Sequence, residues 1–311
     1  MALAAQVLAD TRQMSRDQWL SLRRSGLGGS DAAAAVGLNP WKSPLSLFME
    51  KRGETPDIEP NESMYWGTRL EDIVAEEFTA RTDIKTRRRN AVLRHPDHPF
   101  LLANVDRLIV GSDEGLEVKT ASEYARESWD SEEVPAQYLI QCQHYMAVTG
   151  YQAWWIAVLI GGNKFQYKRI ERDDELIRSL IAAESEFWIG VETGHAPLPD
   201  GSDSTSELIK AMYPSSVPGQ SMDLPDEATN WIVQYGEAAK LEKQAKERKE
   251  EAANRIKLLM QDAEIAFCGD KKVSWKSITV DRLDTKSLKS DLPDVAQHYL
   301  KTSQERRFSI K

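Results

Sequence analysis

The spacing of hydrophobic residues changes several times along the first two hundred positions, and these changes limit the folds that the chain can adopt. Residues 63–82 carry apolar side chains at i, i+4 and i+8, the spacing of one buried helix face. Residues 100–110 are rich in apolar and β-branched types, and 116–120 alternate strictly, which predicts a strand pair joined by a short turn. Further elements are predicted as short helices within 15–53, helices at 134–149 and 173–193, and strands at 153–160 and 164–170. This alternation predicts an α/β fold in which a central mixed sheet is flanked by helices.

The composition changes near residue 197 and divides the chain into three parts. Residues 1–196 are predicted to form the α/β core. Residues 197–224 are rich in Pro, Gly, Ser and Asp, which is typical of a linker. Residues 225–311 are predicted to form a C-terminal α+β extension. Its elements are a long charged helix at 226–262, strand candidates at 273–280 and 306–311, and a helical piece near 285–301.

Charge and cysteine content bear on the partners and the compartment. The formal net charge of −9 opposes non-specific DNA binding by the chain as a whole. A local basic run, Lys85 with Arg87 to Arg89, weakens this objection, although a solvated surface turn is the alternative interpretation. We expect no membrane span and no signal peptide, because no run of 18 apolar residues and no basic leader are found. The two cysteines, Cys142 and Cys268, give no disulfide framework and favour a reducing compartment.

One hairpin carries the residues that point to catalysis. In 116–120 the side chains alternate, so Glu117 and Lys119 emerge on one face of the strand while their apolar neighbours enter the other. Asp106 lies on the predicted preceding strand, across the short turn, where its carboxylate can lie beside that of Glu117. Two carboxylates and an amine are therefore predicted to flank one site.

This set of residues is suited to a divalent cation. Two carboxylates at one point repel each other unless a cation lies between them, and hard oxygen ligands favour Mg²⁺ or Mn²⁺. The predicted ligands are Asp106, Glu117 and the main-chain carbonyl of Val118. Lys119 could orient or deprotonate a water, or stabilise charge on a phosphate, and the sequence leaves these roles open. The triplet Glu-x-Lys alone is common on exposed strands, so the prediction depends on the apolar strand and the helices around it.

The helices on either side of the hairpin add further polar candidates. Glu71 lies beside the apolar face of the helix at 63–82 and could bind the metal directly or through water. The alternative for Glu71 is an ordinary solvated glutamate. Tyr138 and Gln141 lie three apart on one helix face, where they could position a phosphate or a water, with a core position as the alternative for Tyr138.

These candidates belong to a longer ordered pattern of residues. Its positions are Trp19, Arg23, Gly26, Ser30, Trp66, Gly67, Glu71, Asp106, Glu117, Val118, Lys119, Gln137, Tyr138, Gln141, Cys142, Gln143 and Met146. The pattern resembles the YqaJ-type viral recombinases, which belong with the lambda-type phage alkaline exonucleases of the PD-(D/E)xK nuclease superfamily. The resemblance spans about residues 15–195. It implies a restriction-endonuclease-like core.

The resemblance also implies an activity and its partners. The expected activity is a processive, Mg²⁺-dependent 5′→3′ exonuclease that acts on double-stranded DNA ends and leaves a 3′ single strand. The expected partners are two further copies in a ring-shaped homotrimer and a single-strand annealing protein of the RecT or Bet type. The expected location is the cytoplasm of a bacterial host, with a phage or prophage gene. The matched catalytic positions are Asp106 and Glu117 for the metal ligands, Lys119 for the catalytic lysine, Glu71 for the helical acid, and Tyr138 with Gln141 for the pair on the following helix.

A second group of matched residues concerns the DNA end. The resemblance implies that Arg23 and Ser30 hold the 5′-phosphate, with Arg24 as a possible substitute for Arg23 and Asn104 as a further DNA contact. Ser30 is predicted to cap a helix whose N-terminus favours an anion, and Arg23 adds a bidentate donor. A plain helix cap is the alternative for Ser30.

Two features depart from the pattern of the family. The family has a proline before the aspartate, whereas a valine precedes Asp106 in this chain. A literal Pro-Asp occurs at Pro96-Asp97 in a predicted turn, but the strand pair places Asp106 beside Glu117, so Asp106 is preferred. Residues 225–311 have no counterpart in the minimal lambda-type core. They are hypothesised to extend the DNA channel or to bind the annealing partner.

Three other functions are alternatives to an exonuclease. A Cas4-like nuclease resembles this fold but needs four cysteines for an iron–sulfur cluster, and this chain has two. A restriction-type endonuclease of the same superfamily stays open. A non-catalytic DNA-end-binding protein also stays open, although such a protein would have no need for Lys119.

Overall fold

Two sheets form the frame of the first of the two units into which the chain divides. The computed structural model describes residues 5–55, 61–302 and 305–310. The first unit spans Met1–Met212 and the second Tyr213–Lys311. The strands of the first unit are β1 (Gln6–Asp10), β2 (Thr86–Arg88), β3 (Ala91–Arg94), β4 (Leu102–Asn104), β5 (Arg107–Ile109), β6 (Glu114–Ala121), β7 (Ala153–Ile160) and β8 (Lys164–Glu171). A five-stranded sheet has the order β2-β5-β6-β7-β8, and a three-stranded sheet has the order β1-β3-β4. Because β6 and β7 are parallel and the other neighbours antiparallel, the central sheet is mixed.

Helices cover both faces of the central sheet. The helices of the first unit are α1 (Arg16–Arg24), α2 (Gly29–Ala35), α3 (Pro44–Arg52), α4 (Glu62–Thr82), α5 (Ala136–Thr149), α6 (Asp174–Thr193) and α7 (Asp203–Met212). Helix α4 packs Phe78 against Leu116 and Val118 of β6. On the other face, α5 packs Met146 against Ile156 of β7. The alternation of β6 therefore turns Glu117 and Lys119 away from α4 and toward the face covered by α5.

Most of the predicted elements of the core are confirmed. The fold is α/β with a central mixed sheet flanked by helices, as the changing hydrophobic period predicted. Helix α5 begins directly after Pro135, and α6 is capped by the side chain of Asp173. Strands β7 and β8 are joined at Gly161 and Gly162, which both have positive φ angles. This turn geometry favours glycine because it has no Cβ.

The prediction of one continuous strand over 100–110 was wrong. The segment divides into β4 in the three-stranded sheet and β5 in the five-stranded sheet, with a bend at Asp106 between them. The ladder between β5 and β6 ends at the pair Arg107 and Leu116. Beyond it, the carboxylate of Asp106 accepts the backbone N–H of Val118 at 2.9 Å. A side chain thus replaces the next backbone hydrogen bond of the β5–β6 ladder. The backbone before Asp106 pairs in the three-stranded sheet instead.

The sequence did not predict β1, β2 or β3. The basic run at 85–89, for which a surface turn was one interpretation, contains the edge strand β2. Arg88 on this strand forms an ion pair with Asp72 of α4. These three strands are only three to five residues long, too short to show the strict alternation that identifies a half-buried strand, and β2 consists mainly of charged residues.

Helix α7 lies within 197–224, the range predicted as a linker. Its Thr205 and Leu208 are buried, and the hydroxyl oxygen of Ser204 accepts the backbone N–H of Ser43 at 3.1 Å. This part of the range therefore packs within the first unit.

The second unit is built on a long helix and a hairpin. Its elements are α8 (Ala228–Met260), β9 (Ile265–Cys268), β10 (Lys271–Ser274), α9 (Thr285–Asp291) and α10 (Pro293–His298). The long helix predicted at 226–262 is confirmed. The strand candidate at 273–280 overlaps only the end of β10, and the described residues 305–310 form no strand. None of the helices in the described ranges has the length and apolar character that a membrane crossing requires.

Candidate active site

A cavity of about 260 Å³ in the first unit collects most of the residues that the sequence singled out. It lies where β6, α5, the bend at Asp106 and the start of α2 meet. The predicted residues in its lining are Arg23, Ser30, Asn104, Asp106, Glu117, Lys119 and Gln141. Both groups of candidates, for catalysis and for the DNA end, therefore contribute to one cavity.

Asp106 and Glu117 form the acidic part of this cavity. Glu117 is buried, and Asp106 is held by its hydrogen bond from Val118 N–H. Burial raises the pKa of Asp106 well above its ordinary value, and the nearby charge of Glu117 raises it further. Because the N–H and the carbonyl of one residue in an extended strand point to the same side, the Val118 carbonyl also faces the edge of β6 nearest Asp106.

Lys119 lies next to the acidic pair. Its Nζ donates to Glu117 Oε1 at 2.5 Å and lies 5.1 Å from the centroid of the Tyr138 ring. Burial lowers the pKa of Lys119, but the charges of Glu117 and Asp106 outweigh burial and raise it above its ordinary value. The predicted acid–acid–lysine group is therefore assembled as the alternation of β6 indicated.

A hydrogen-bonded chain from α5 also holds Glu117. Gln141 Nε2 donates to Glu117 Oε1 at 2.8 Å and lies 2.9 Å from the hydroxyl of Tyr145, which donates to the carbonyl of Asn104 at 3.2 Å. The helical spacing predicted Tyr145, with His144, on the turn of α5 that follows Gln141. A Cβ on Gly29 would lie 2.4 Å from the Tyr145 ring, so only glycine lets α2 approach this closely.

Glu71 is placed beside the acidic pair but outside the lining of the cavity. Its Oε1 accepts Arg107 Nη1 at 2.5 Å, and the same nitrogen donates to the carbonyl of Asp106 at 2.8 Å. Arg107 is buried and also pairs with Asp72. Sequence reasoning missed Arg107, although a cation directly after Asp106 in a mostly apolar run was a visible signal. The role of Glu71 as a metal ligand stays a prediction.

The acidic pair fits a divalent cation. Glu117 Oε2 is buried and has no hydrogen-bond partner in the described part of the chain, which is costly for a carboxylate oxygen. A cation placed between Glu117, Asp106 and the Val118 carbonyl would satisfy that oxygen and offset the repulsion between the two acids. Within the described ranges, no three acidic, histidine or cysteine side chains lie close enough to hold a metal by themselves. The ligand set would therefore depend on the main-chain carbonyl and on water.

A second charged cluster lines the same cavity around Asp31. Its Oδ2 accepts Lys51 Nζ at 2.7 Å and Gly28 N–H at 3.1 Å, while its Oδ1 accepts Arg23 at 3.2 Å. Although burial raises the pKa of Asp31, the charges of Lys51 and Arg23 outweigh burial and lower it below its ordinary value. Arg23 also lies 3.7 Å from Glu50, and its side chain is 32% exposed, so part of the guanidinium still faces the cavity.

The prediction that Ser30 caps a helix was wrong. Helix α2 begins at Gly29, its N-cap is Gly28, and Asp31 accepts the N–H of Gly28. Ser30 is thus the second residue of the helix, and its exposed side chain lines the cavity. Because Asp31 already accepts the cap N–H, Ser30 has no capping role to fill.

The remaining candidates are distributed around the cavity. Asn104 ends β4 with its side chain exposed at the lining, whereas Arg24 lies in the last turn of α1, outside the lining. Tyr138 is half-buried beside Lys119. Asp97 lies in the turn before β4, where its N–H donates to His95, and it does not reach the cavity. This geometry supports the preference for Asp106 over Asp97.

Comparisons with known proteins decide the family. A family model described as a YqaJ-like viral recombinase domain matches residues 18–152. The chain is 46% identical over 315 residues to the protein YqaJ of Bacillus subtilis (strain 168), an alignment that covers 99% of this chain and 98% of that protein. The chain belongs to the YqaJ family.

A solved structure resembles the core of this YqaJ-family chain. The alkaline exonuclease LHK-Exo from Laribacter hongkongensis matches with a TM-score of 0.50 at 22% identity, over 58% of this chain and 94% of that one. At 22% identity, this similarity is evidence for a shared fold alone. The restriction-endonuclease-like core predicted from the sequence is thereby confirmed.

Proposed function

We propose that this YqaJ-family chain is a metal-dependent deoxyribonuclease that degrades one strand of linear duplex DNA from its 5′ end and leaves a 3′ single strand. The observation that carries the proposal is the buried Glu117 carboxylate with one oxygen lacking a partner, beside Asp106 and Lys119. The family model describes a viral recombinase domain, and the structure with the same fold is named an alkaline exonuclease. Both descriptions agree with this chemistry.

The proposed cofactor is Mg²⁺, for which Mn²⁺ can substitute. Asp106, Glu117 and the Val118 carbonyl would hold it, and Glu71 would act through water if Arg107 releases it. Such a cation would acidify a water and offset the charge of the scissile phosphate. Two side chains of the site would support this chemistry. Gln141 keeps Glu117 in place, and Lys119 presents an ammonium to the phosphate.

The direction of degradation is proposed to come from the second charged cluster. Arg23 and Ser30 line the same cavity as the acidic pair, so a terminal 5′-phosphate held there would place the first linkage near the catalytic residues. Arg23 is the charged donor and Ser30 a hydroxyl donor. Asn104 adds a polar contact to the strand, and Arg24 is a secondary candidate.

Further parts of the proposal concern assembly and cell biology. The chain is proposed to act as a homotrimer around DNA, with a single-strand annealing protein as partner, in the bacterial cytoplasm during phage recombination. Residues 225–311 are proposed to extend the DNA path or to bind that partner, because the long helix α8 carries many exposed Lys and Arg side chains. Native mass spectrometry of the full chain measures the oligomeric state, and a mass other than that of three copies would contradict the trimer.

The function is tested with labelled linear duplex DNA, with and without a 5′-phosphate, in Mg²⁺ or EDTA. We expect degradation only in Mg²⁺, faster with the 5′-phosphate, and with covalently closed circles left intact. Cleavage of the circles would instead identify a restriction-type endonuclease. Binding to ends without hydrolysis in Mg²⁺ or Mn²⁺ would identify a non-catalytic end-binding protein and would contradict the proposal.

A further inference from the structure

The turn between α2 and α3 carries an exposed tryptophan next to the catalytic residues. Trp41 is 66% exposed, and its ring centroid lies 6.4 Å from that of Tyr138 with the planes tilted by 36°. Single exposed apolar residues are common and need no explanation by themselves. The position of Trp41, one ring away from Lys119, is what distinguishes it from the other exposed side chains.

The turn that carries Trp41 is ordered by its own hydrogen bonds. The side-chain oxygen of Asn39 accepts the N–H of Trp41 at 2.8 Å and that of Lys42 at 3.1 Å. Upstream, Leu38 N–H donates to the carbonyl of Ala33 at 2.8 Å, and downstream Lys42 Nζ pairs with Glu50 at 2.5 Å. The indole is therefore displayed by a fixed turn, with little loop entropy left to lose when a ligand binds.

Tyr138 connects this turn to the catalytic centre. Its ring stacks on the buried Trp129, with centroids 5.4 Å apart and planes 24° apart. Lys119 Nζ lies over the same ring at 5.1 Å. Trp129 supports the Tyr138 ring from inside, and the same ring contacts both Lys119 and Trp41. A DNA strand with a phosphate at Lys119 would thus pass within reach of the indole.

We propose that Trp41 is a stacking platform for an unpaired nucleobase of the strand that is being degraded. The proposal rests on the proposed nuclease function and adds a binding subsite to it. Every base has a π face, so stacking on an aromatic side chain holds a single strand without reading its sequence. An enzyme that removes successive nucleotides must bind each base regardless of its identity. The cation Lys119, which lies over the Tyr138 ring, complements the phosphate that follows the stacked base.

The test measures DNA binding separately from hydrolysis. A fluorescent duplex with a 5′-phosphorylated, unpaired end is titrated with full-length protein in Ca²⁺, an oxygen-binding cation used here in place of Mg²⁺. We expect Trp41→Ala to weaken binding about tenfold, and Trp41→Phe to keep it within about threefold, because a phenyl ring can still stack. Tyr124→Ala is the control, since Tyr124 is a fully exposed aromatic residue of the first unit that lies outside the lining of the cavity. Its binding should stay within about twofold of the wild type.

An abasic nucleotide identifies the occupant of the platform. Replacing one base at a time near the 5′ end should weaken wild-type binding at one position by about the same factor as Trp41→Ala. In Trp41→Ala that same replacement should have no further effect, because the stacking partner is already lost. Unchanged unfolding temperatures would show that the variants are folded.

Three results would overturn the platform. They are wild-type affinity in Trp41→Ala, an equal loss in Tyr124→Ala, and abasic effects that multiply with that of Trp41→Ala. A failure of the nuclease proposal is recognised separately, because the wild type would then leave linear duplex intact in Mg²⁺ and Mn²⁺.

Discussion

Two buried acidic groups line the same cavity, and the protein neutralises only one of them. At Asp31, both carboxylate oxygens have charged partners, Lys51 and Arg23, and the pKa of Asp31 is lowered despite its burial. At Asp106 and Glu117, two acids share Lys119, one oxygen of Glu117 has no partner in the described structure, and the pKa of Asp106 is raised. Both sites hold carboxylates, but only at Asp31 does each carboxylate oxygen have its own cationic side chain as partner.

The difference separates a group that supports the fold from one that is prepared for chemistry. A buried carboxylate is tolerated when it is paired and hydrogen-bonded, as Asp31 is. A second carboxylate without its own cation costs folding free energy, and the protein recovers this cost only when a cation binds from solution. The Asp31 cluster is therefore expected to contribute to stability, and the Asp106 cluster to activity.

The largest effect is expected when the acidic pair is changed. Asp106→Asn and Glu117→Gln should each lower the rate of DNA degradation at least about a thousandfold, because a metal ligand supports several kcal/mol of charge stabilisation. In metal-free buffer neither variant should be less stable than the wild type by more than about 1 kcal/mol, since one of two like charges is removed. Initial rates and urea unfolding measure the two quantities.

Asp97→Asn is the matched control for this prediction, because Asp97 lies outside the cavity. It should retain wild-type activity. Loss of activity in Asp97→Asn with retention in Asp106→Asn would reverse the assignment of the catalytic aspartate.

The opposite pattern is expected for the paired cluster. Asp31→Ala leaves the buried ammonium of Lys51 without its partner and should lower the free energy of unfolding by about 3–5 kcal/mol. Adding Lys51→Met to Asp31→Ala removes the orphaned charge and should recover part of this loss. Urea unfolding of the single and double variants measures both effects. A loss below about 1 kcal/mol for Asp31→Ala would show that the cluster is not structural.

The stability that the Asp31 cluster contributes should also depend on pH. Because the pKa of Asp31 is lowered by folding, its contribution to stability is present above the unfolded pKa of about 3.9 and is lost as the pH falls below it. The difference in unfolding free energy between the wild type and Asp31→Asn should therefore shrink as the pH falls from about 6 to about 3. Urea unfolding at several pH values measures this difference, and a constant difference would contradict the proposed pairing.

Sequence patterns predicted the parts of the site that depend on one element at a time. Strict alternation along β6 placed Glu117 and Lys119 on one face, and helical spacing along α5 placed Gln141 near them. These patterns predict orientation because the period of a strand or helix fixes which side chains share a face. The fold class followed from the same periods.

The parts that depend on contacts between distant segments were missed. Asp31 and Lys51 lie twenty residues apart on different helices, and no spacing rule links them. The bend at Asp106 arises from its hydrogen bond to Val118, a contact between two strands that an apolar run does not reveal. Arg107, directly after Asp106 in a mostly apolar run, was a local sign of its contact with Glu71 of α4.

The most direct measurement is a calorimetric titration with Mn²⁺ in the absence of DNA. The wild type and Asp97→Asn should bind the ion, whereas Asp106→Asn and Glu117→Gln should lose binding while they remain folded. Equal binding of Mn²⁺ by all four proteins would contradict the placement of the cation between Asp106 and Glu117, and the proposed catalytic centre with it.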